Sequence, residues 1–241
     1  MNSRILEAVY QRLLKKSAPP SDDLAVAVET LGGQYNATIY SPSSLTRVFE
    51  SGAYPKRATG SVKNYRALQK FDVIRGYVII EKPDMPCNDA YEVKASAGPG
   101  IGKVIYGVAF ALSPSGILIP DRMSVSSYAQ KGWAAQYARR KKKSLDDFDH
   151  DPTDSDSFHA KHHTKKLSDD CSTYEDHEKL DFLNYSYESE GWEPGLLRTM
   201  KKNHKAMMAW IDANADVPSA DVEAAIMYYG PDFFEEKYPR E

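Results

Sequence analysis

Three glycines and a lysine fall within six residues, Gly98-Pro99-Gly100-Ile101-Gly102-Lys103. Glycines so close together let a backbone approach a ligand and adopt φ > 0. An apolar helix is expected to follow, so the amides of Gly100, Ile101, Gly102 and Lys103 would be donors without intrahelical partners. Such a helix start attracts phosphate through those donors and through its dipole. The segment therefore suits a pyrophosphate cradle, and it suits equally a tight strand-to-helix turn. Other groups could move protons. Glu81 and Glu92 are carboxylates on strands flanking the loop, and Tyr128 and Tyr137 carry phenols on a later helix. Imidazoles and one thiol gather at His159, His162, His163, Cys171 and His177. Such groups can bind zinc, but their spacing matches no regular zinc module, so no metal is expected. Cys171 with His177 could form a thiol–imidazole pair, but nothing in the pattern orients them.

These residues need elements to hold them. Tyr91, Val93 and Ala95 alternate with Glu92, Lys94 and Ser96, the period of a half-buried strand. After the glycine loop, Val104, Val108 and Ala111 lie on one side of a helix, with Ile105, Ala109 and Leu112 beside them. Ser113-Pro114-Ser115-Gly116 turns the chain into a short strand, Ile117–Ile119. Ser124 or Ser126 then caps a second helix ending near Arg140. Val73–Glu81 is apolar on both faces, as in a central strand covered by helices on both sides.

Two common glycine loops do not fit. A Walker loop needs Ser or Thr after its Lys, and Val104 follows Lys103. The dinucleotide fingerprint spaces its glycines differently from Gly98, Gly100 and Gly102. The loop resembles instead the acyl-CoA loop of the GNAT family of N-acyltransferases, Arg/Gln-x-x-Gly-x-Gly/Ala opening a helix after the fourth strand. Gly98–Lys103 is similar to that family's Gly-x-Gly-x-Gly-Lys form, and the resemblance runs over about residues 72–140. It implies an α/β fold of the layered α+β kind, a mixed central sheet flanked by helices. It implies acetyl-CoA as cofactor, with the diphosphate on Gly98, Gly100, Ile101, Gly102 and Lys103. The pantetheine arm would lie along the backbone of Lys94, Ala95, Ser96 and Ala97, where the strand splays from its neighbour. Ala97 stands where the family has Arg or Gln. The family's thiolate-protonating Tyr falls on Trp133, so Tyr137, with Tyr128 nearby, is the substitute acid. Glu92 is the candidate base.

The chain has 241 residues and a net charge of −3, which argues against general nucleic-acid affinity. No run of 18 apolar residues suggests a membrane span. Charges in the first residues argue against a signal peptide, and the 2 cysteines are expected to be free thiols, so an intracellular setting is expected. Residues 1–33 are read as N-terminal helices, 34–140 as the GNAT-like core, 141–181 as a polar insertion, and 182–241 as a returning strand and C-terminal helices. In the first part, Ile5, Leu6, Val9, Leu13 and Leu14 form one helical face. Leu24, Val28 and Leu31 suggest a second helix stopped by Gly32-Gly33, although Ala25–Val28 also alternates like a strand. Gln34–Tyr40 is read as a strand, and a short helix around Leu45, Val48 and Phe49 closes at Gly52. A basic loop over 54–61 and a helix to Lys70 precede Val73, and Met85-Pro86-Cys87-Asn88 is read as a turn. The basic run Arg139–Lys143 is expected to be a solvated helix end answered by Asp146–Asp156. Phe182–Ser189 is expected as a strand and Pro194–Asn214 as a helix with His204 at the flank of its apolar face. A last helix from Ser219 is expected to stop at Gly230-Pro231, leaving an aromatic tail.

Two functions follow from the resemblance. One is transfer of an acetyl group to an amine acceptor. The other is a core without catalysis, a structural or assembly protein of a bacteriophage with other virion or phage proteins as partners. A phage DNA-base-modifying enzyme of the same fold is a third, with only the basic run in its favour.

Overall fold

The structure is a computed structural model. It describes residues 23–54, 62–83, 89–121, 125–145 and 181–237. The N-terminal helix, the 55–61 loop, the Met85–Asn88 turn, Ser124, the histidine cluster with Cys171, the acidic stretch after Leu145 and the residues after Lys237 lie outside these.

The fold is mixed α/β in layers. One sheet runs through strands β1 (Ala25–Leu31), β2 (Gln34–Tyr40), β3 (Ile74–Glu81), β4 (Tyr91–Ala97), β5 (Ile117–Pro120), β6 (Lys142–Ser144) and β7 (Tyr185–Glu188). Their spatial order is β1-β2-β3-β4-β5-β7-β6. All neighbouring pairs are antiparallel except β4 with β5, which is parallel. The described helices are α1 (Pro42–Glu50), α2 (Val62–Lys70), α3 (Gly102–Leu112), α4 (Ser127–Arg139), α5 (Glu193–Asn214) and α6 (Ser219–Lys237).

The sheet has apolar cores on both faces, as the doubly apolar β3 requires. One core joins Val26, Ile39, Val78, Ile80 and Val93 to α3, to Trp133 of α4 and to the first half of α5. The other joins Ala25, Ala27, Tyr40, Tyr77 and Ile74 to α1, α2, α6 and the second half of α5. Thus α5 crosses from one face to the other past β1. There Asn203 donates its Nδ2–H to the Leu24 carbonyl (2.9 Å), covering part of an edge strand.

Several expectations are corrected. Leu24–Leu31 is not helical; Ala25–Leu31 is strand β1. The cause is the glycine pair. Gly32 and Gly33 both have positive φ (56° and 94°), and they join Leu31 to Gln34 as a two-residue hairpin of the type I′ kind. Residues 181–184 form a 3-10 turn before β7, so the returning strand is shorter than Phe182–Ser189. The last helix does not stop at Pro231 but continues to Lys237. Proline removes one intrahelical bond, but Val222, Ala225, Ile226 and Tyr229 are buried along this helix. Gly230 serves close approach instead, because a Cβ there would strike Thr38 of β2.

The basic run is exposed at Lys141, Lys142 and Lys143, as expected after the helix end at Arg139, but it is not solvated throughout. Residues 142–144 form β6, and the Arg140 side chain is fully buried. Its Nη1 lies 2.7 Å from Glu193 Oε1, its Nε donates to Gln136 Oε1 (2.6 Å), and its guanidinium lies 3.8 Å from the Phe110 ring centroid. Arg140 thereby fastens the end of α4 to the start of α5.

Candidate functional site

Strand β4 changes neighbours along its length. Its β5 ladder covers only Tyr91, Glu92 and Val93, ending opposite Pro120. A proline has no N–H to extend a ladder. On the other edge, β4 stays paired to β3 as far as Ala97 opposite Tyr77. That ladder holds a bulge: Val93 faces Ile80 and Ala95 faces Ile79, leaving Lys94 as the extra residue. The bulge switches faces, because Val93 belongs to one core and Ala95 and Ala97 pack on the other. From Lys94 to Ala97, then, β4 has β3 on one edge and, among the described residues, no strand on the other.

The chain leaves this parting directly into the glycine loop. Ile101 N–H donates to the Gly98 carbonyl (3.3 Å), and Gly100 takes φ +79°. Gly98 is there for packing, since a Cβ would come within 2.5 Å of Ile105 Cδ1 and 2.9 Å of the Arg75 carbonyl oxygen. Gly100 and Gly102 face open space, with nothing within 4 Å of a Cβ built there. The first turn of α3 closes on the Ile101 carbonyl, which accepts from Val104 and Ile105. Ile101 caps the helix without a side-chain bond. The amides of Gly100, Gly102 and Lys103 therefore have no acceptor among the described residues. The amide of Ile101, expected to be a fourth donor, is already used in the turn.

The structure places Glu92 almost fully buried at the start of the parting. Its Oε2 lies 3.3 Å from Lys94 Nζ, which also approaches Glu81 Oε1 (3.4 Å) and Asp121 Oδ1 (3.8 Å). Burial pulls the Lys94 ammonium toward a lower pKa, but the charges of Glu92 and Asp121, with hydrogen bonds to Glu92 and Glu81, raise it overall. Lys94 is thus a permanent cation at neutral pH among three carboxylates. The sequence analysis named Glu81, Glu92 and Lys94 singly but not their ion pairs or the part of Asp121. It placed Lys94 on an outward face, and it gave Asp121 no role because β5 had no assigned partner.

Of the two candidate tyrosines, Tyr137 has a described side chain. Tyr137 meets Tyr185 of β7 edge-on at 5.1 Å between ring centroids, and Lys142 Nζ of β6 lies 4.0 Å from its centroid. Neither strand borders β4. Tyr128 lies in α4, and its side chain is outside the described ones. Trp133 is buried, 5.1 Å from the Tyr106 ring and 5.3 Å from the Tyr187 ring.

A further polar chain escaped the sequence analysis. His204 Nδ1 lies 3.0 Å from the buried Tyr40 hydroxyl, and its Nε2 lies 3.1 Å from Glu223 Oε1. With the proton on Nε2, Tyr40 donates to Nδ1 and Nε2 donates to Glu223. Burial, reinforced by the Glu223 charge, raises the Tyr40 pKa. The chain links β2, α5 and α6 and so ties the C-terminal helices to the sheet. Among the described residues no group of three or more His, Cys, Asp or Glu side chains could hold a metal ion. No described helix is long and apolar enough to cross a membrane.

No protein-family model, curated protein or solved structure matches this chain.

Proposed function

We propose that the chain is a GNAT-like N-acyltransferase that moves an acetyl group from acetyl-CoA to an amine. One observation supports this: β4 parts from β5 at Lys94 immediately before a loop in which the amides of Gly100, Gly102 and Lys103 have no acceptor among the described residues and a Cβ at Gly100 or Gly102 would meet nothing within 4 Å. The diphosphate rests on those amides and on the positive end of α3. The pantetheine arm lies along Lys94–Ala97, whose edge away from β3 has no strand partner among the described residues and offers its backbone groups instead. An N–H of that edge polarises the thioester carbonyl in the manner of an oxyanion hole.

In the reaction the amine nitrogen attacks the thioester carbon, the carbon–sulfur bond breaks, and the amine proton passes to a carboxylate directly or through water. Glu92 is the carboxylate assigned to that proton, with Lys94 holding it in place. The departing thiolate takes a proton from Tyr137 or Tyr128.

A second function keeps the fold and drops the chemistry. It is favoured by Trp133, which fills a core position without a transferable proton, and by Tyr137, which packs toward β6 and β7. The chain would then be an assembly protein of a phage particle.

Ligand-linked stability separates the two. Acetyl-CoA at a hundredfold excess over its dissociation constant stabilises the protein by about 2.7 kcal/mol if the site binds it. The variant Gly102→Trp, at a position with an unstrained backbone and open surroundings, removes that shift while keeping the fold. Absence of any shift with acyl-CoA, together with a defined oligomer, supports the assembly role.

A further inference from the structure

Beside the open amides lies an indole that the proposed reaction does not use. Trp192 caps the start of α5 and is half-buried. Its ring lies against Gly107, where an added Cβ would come within 2.7 Å of Cη2. Only glycine lets the ring sit so close to α3. Its Nε1–H donates to Glu190 Oε2 (2.7 Å), which fixes the ring plane. Glu190 in turn approaches Arg139 (3.4 Å) and the buried Arg140 (3.9 Å). The indole is therefore anchored through the α4–α5 junction.

Lys103 joins this indole to the loop. Lys103 and Gly107 are one helical turn apart and share a face of α3. Lys103 is exposed, and its Nζ lies 5.3 Å from the Trp192 ring centroid. Gly102, whose amide opens the helix, precedes Gly107 by five residues, about 7.5 Å along the axis. One face of α3 thus presents anion-binding amides at its end, a cation next to them, and a fixed aromatic plane farther along. An exposed ammonium over an indole is weakly held. The Lys103 head can leave the ring for a phosphate on the amides beside it, and that departure uncovers the indole.

A diphosphate alone has no use for the aromatic plane, whereas a nucleotide has a flat base one sugar away from its phosphates. We propose that Trp192 is the platform on which the adenine of the coenzyme A donor stacks, with Lys103 moving from the indole to the phosphate as the nucleotide binds. This rests on the donor site proposed above. It adds a specificity element, which makes the protein select a nucleotide-bearing donor over a bare phosphopantetheine one.

The full chain is titrated with 1,N6-etheno-coenzyme A, followed by fluorescence, and with coenzyme A and 4′-phosphopantetheine, followed by calorimetry. Stacking quenches the etheno-adenine fluorescence on binding to the wild-type protein. Trp192→Leu weakens coenzyme A about tenfold and leaves phosphopantetheine within about twofold. Trp192→Phe, which keeps a smaller ring, falls between. Coenzyme A bound without quenching, or bound as tightly by Trp192→Leu, overturns the platform. Equal weakening of both ligands assigns Trp192 a purely structural role and also overturns it. Should the leucine variant not fold by circular dichroism, quenching in the wild type and the affinity of the phenylalanine variant decide. If the wild type binds none of these ligands, the donor site itself fails and the platform with it. Binding without quenching removes the platform alone.

Discussion

A Cβ on Gly98 would come within 2.9 Å of the Arg75 carbonyl oxygen, which is backbone and cannot swing aside. Gly102, four residues later, has nothing within 4 Å of the same added atom. Gly98→Ala is therefore expected to cost about 1–3 kcal/mol, as overpacking does. At about 2–4 °C per kcal/mol for a chain of this size, thermal unfolding reads it directly. Gly102→Ala is expected to hold or raise the melting temperature, since alanine favours the helix that begins there. Equal losses in the two variants would mean that the loop does not pack against β3 as described. The second residue-scale case is Glu193. Burial pushes its pKa up, but the N–H groups of Glu190 and Glu193, the Arg140 guanidinium and the Ser189 hydroxyl together bring it below its ordinary value. A carboxyl held low in the folded state contributes stability that is fully present above the unfolded value, about 4.3. That contribution fades as pH falls through the lower folded value, because the unfolded chain then binds the extra proton. Glu193→Gln leaves the Arg140 charge buried and is expected to cost about 3–5 kcal/mol at neutral pH. Denaturant midpoints compared at pH 7 and pH 3 check this: the gap between wild type and Glu193→Gln should narrow in acid.

At the scale of elements, one histidine bridges both C-terminal helices and the sheet. Removing His204 leaves the Tyr40 hydroxyl buried without its acceptor, and such an orphan costs about 1–3 kcal/mol. His204→Ala is expected to destabilise by that amount in urea unfolding. Tyr40→Phe in the same chain is expected to recover part of the loss, because no hydroxyl is then stranded. A strictly additive double mutant would show that the 3.0 Å contact carries no coupling. Sequence periodicity placed His204 at the edge of the α5 stripe and could go no further, since Tyr40 lies 164 residues away in the chain. The same limit explains what was legible elsewhere. Strands β2, β3 and β4 and helices α1, α3, α4 and α5 carry local patterns and stop signals, and the structure has them close to where those patterns lie. The hairpin of β1 was misjudged because Gly32-Gly33 ends a helix as readily as it turns a strand, and only the pairing with β2 decides. The glycine loop was legible as a loop before a helix. The bulge at Lys94, the parting from β5 and the burial of Arg140 depend on partners that no local pattern specifies.

For the molecule as a whole, the sheet closes across a long stretch of chain between β6 and β7. Leu145 N–H donates to the Asn184 carbonyl (2.8 Å), and Lys142 to Ser144 pair with Tyr185 to Tyr187. The chain therefore departs and returns at adjoining points of the sheet edge. The sheet ladder itself fixes the distance that any connection must span, and it is short. Loop-closure entropy grows only with the logarithm of loop length. Replacing residues 147–180 by a six-residue Gly/Ser linker reduces that closure cost by about 1–2 kcal/mol. The shortened chain is expected to fold and to melt no lower than the parent by circular dichroism. It is also expected to keep any acetyl-CoA shift, because the Lys94 parting and the Gly98–Lys103 loop lie at β4, while the linker joins β6 to β7. A shortened chain that folds but loses the shift would place part of the donor or acceptor site in 147–180. One that fails to fold would show that those residues supply contacts on which the sheet edge depends.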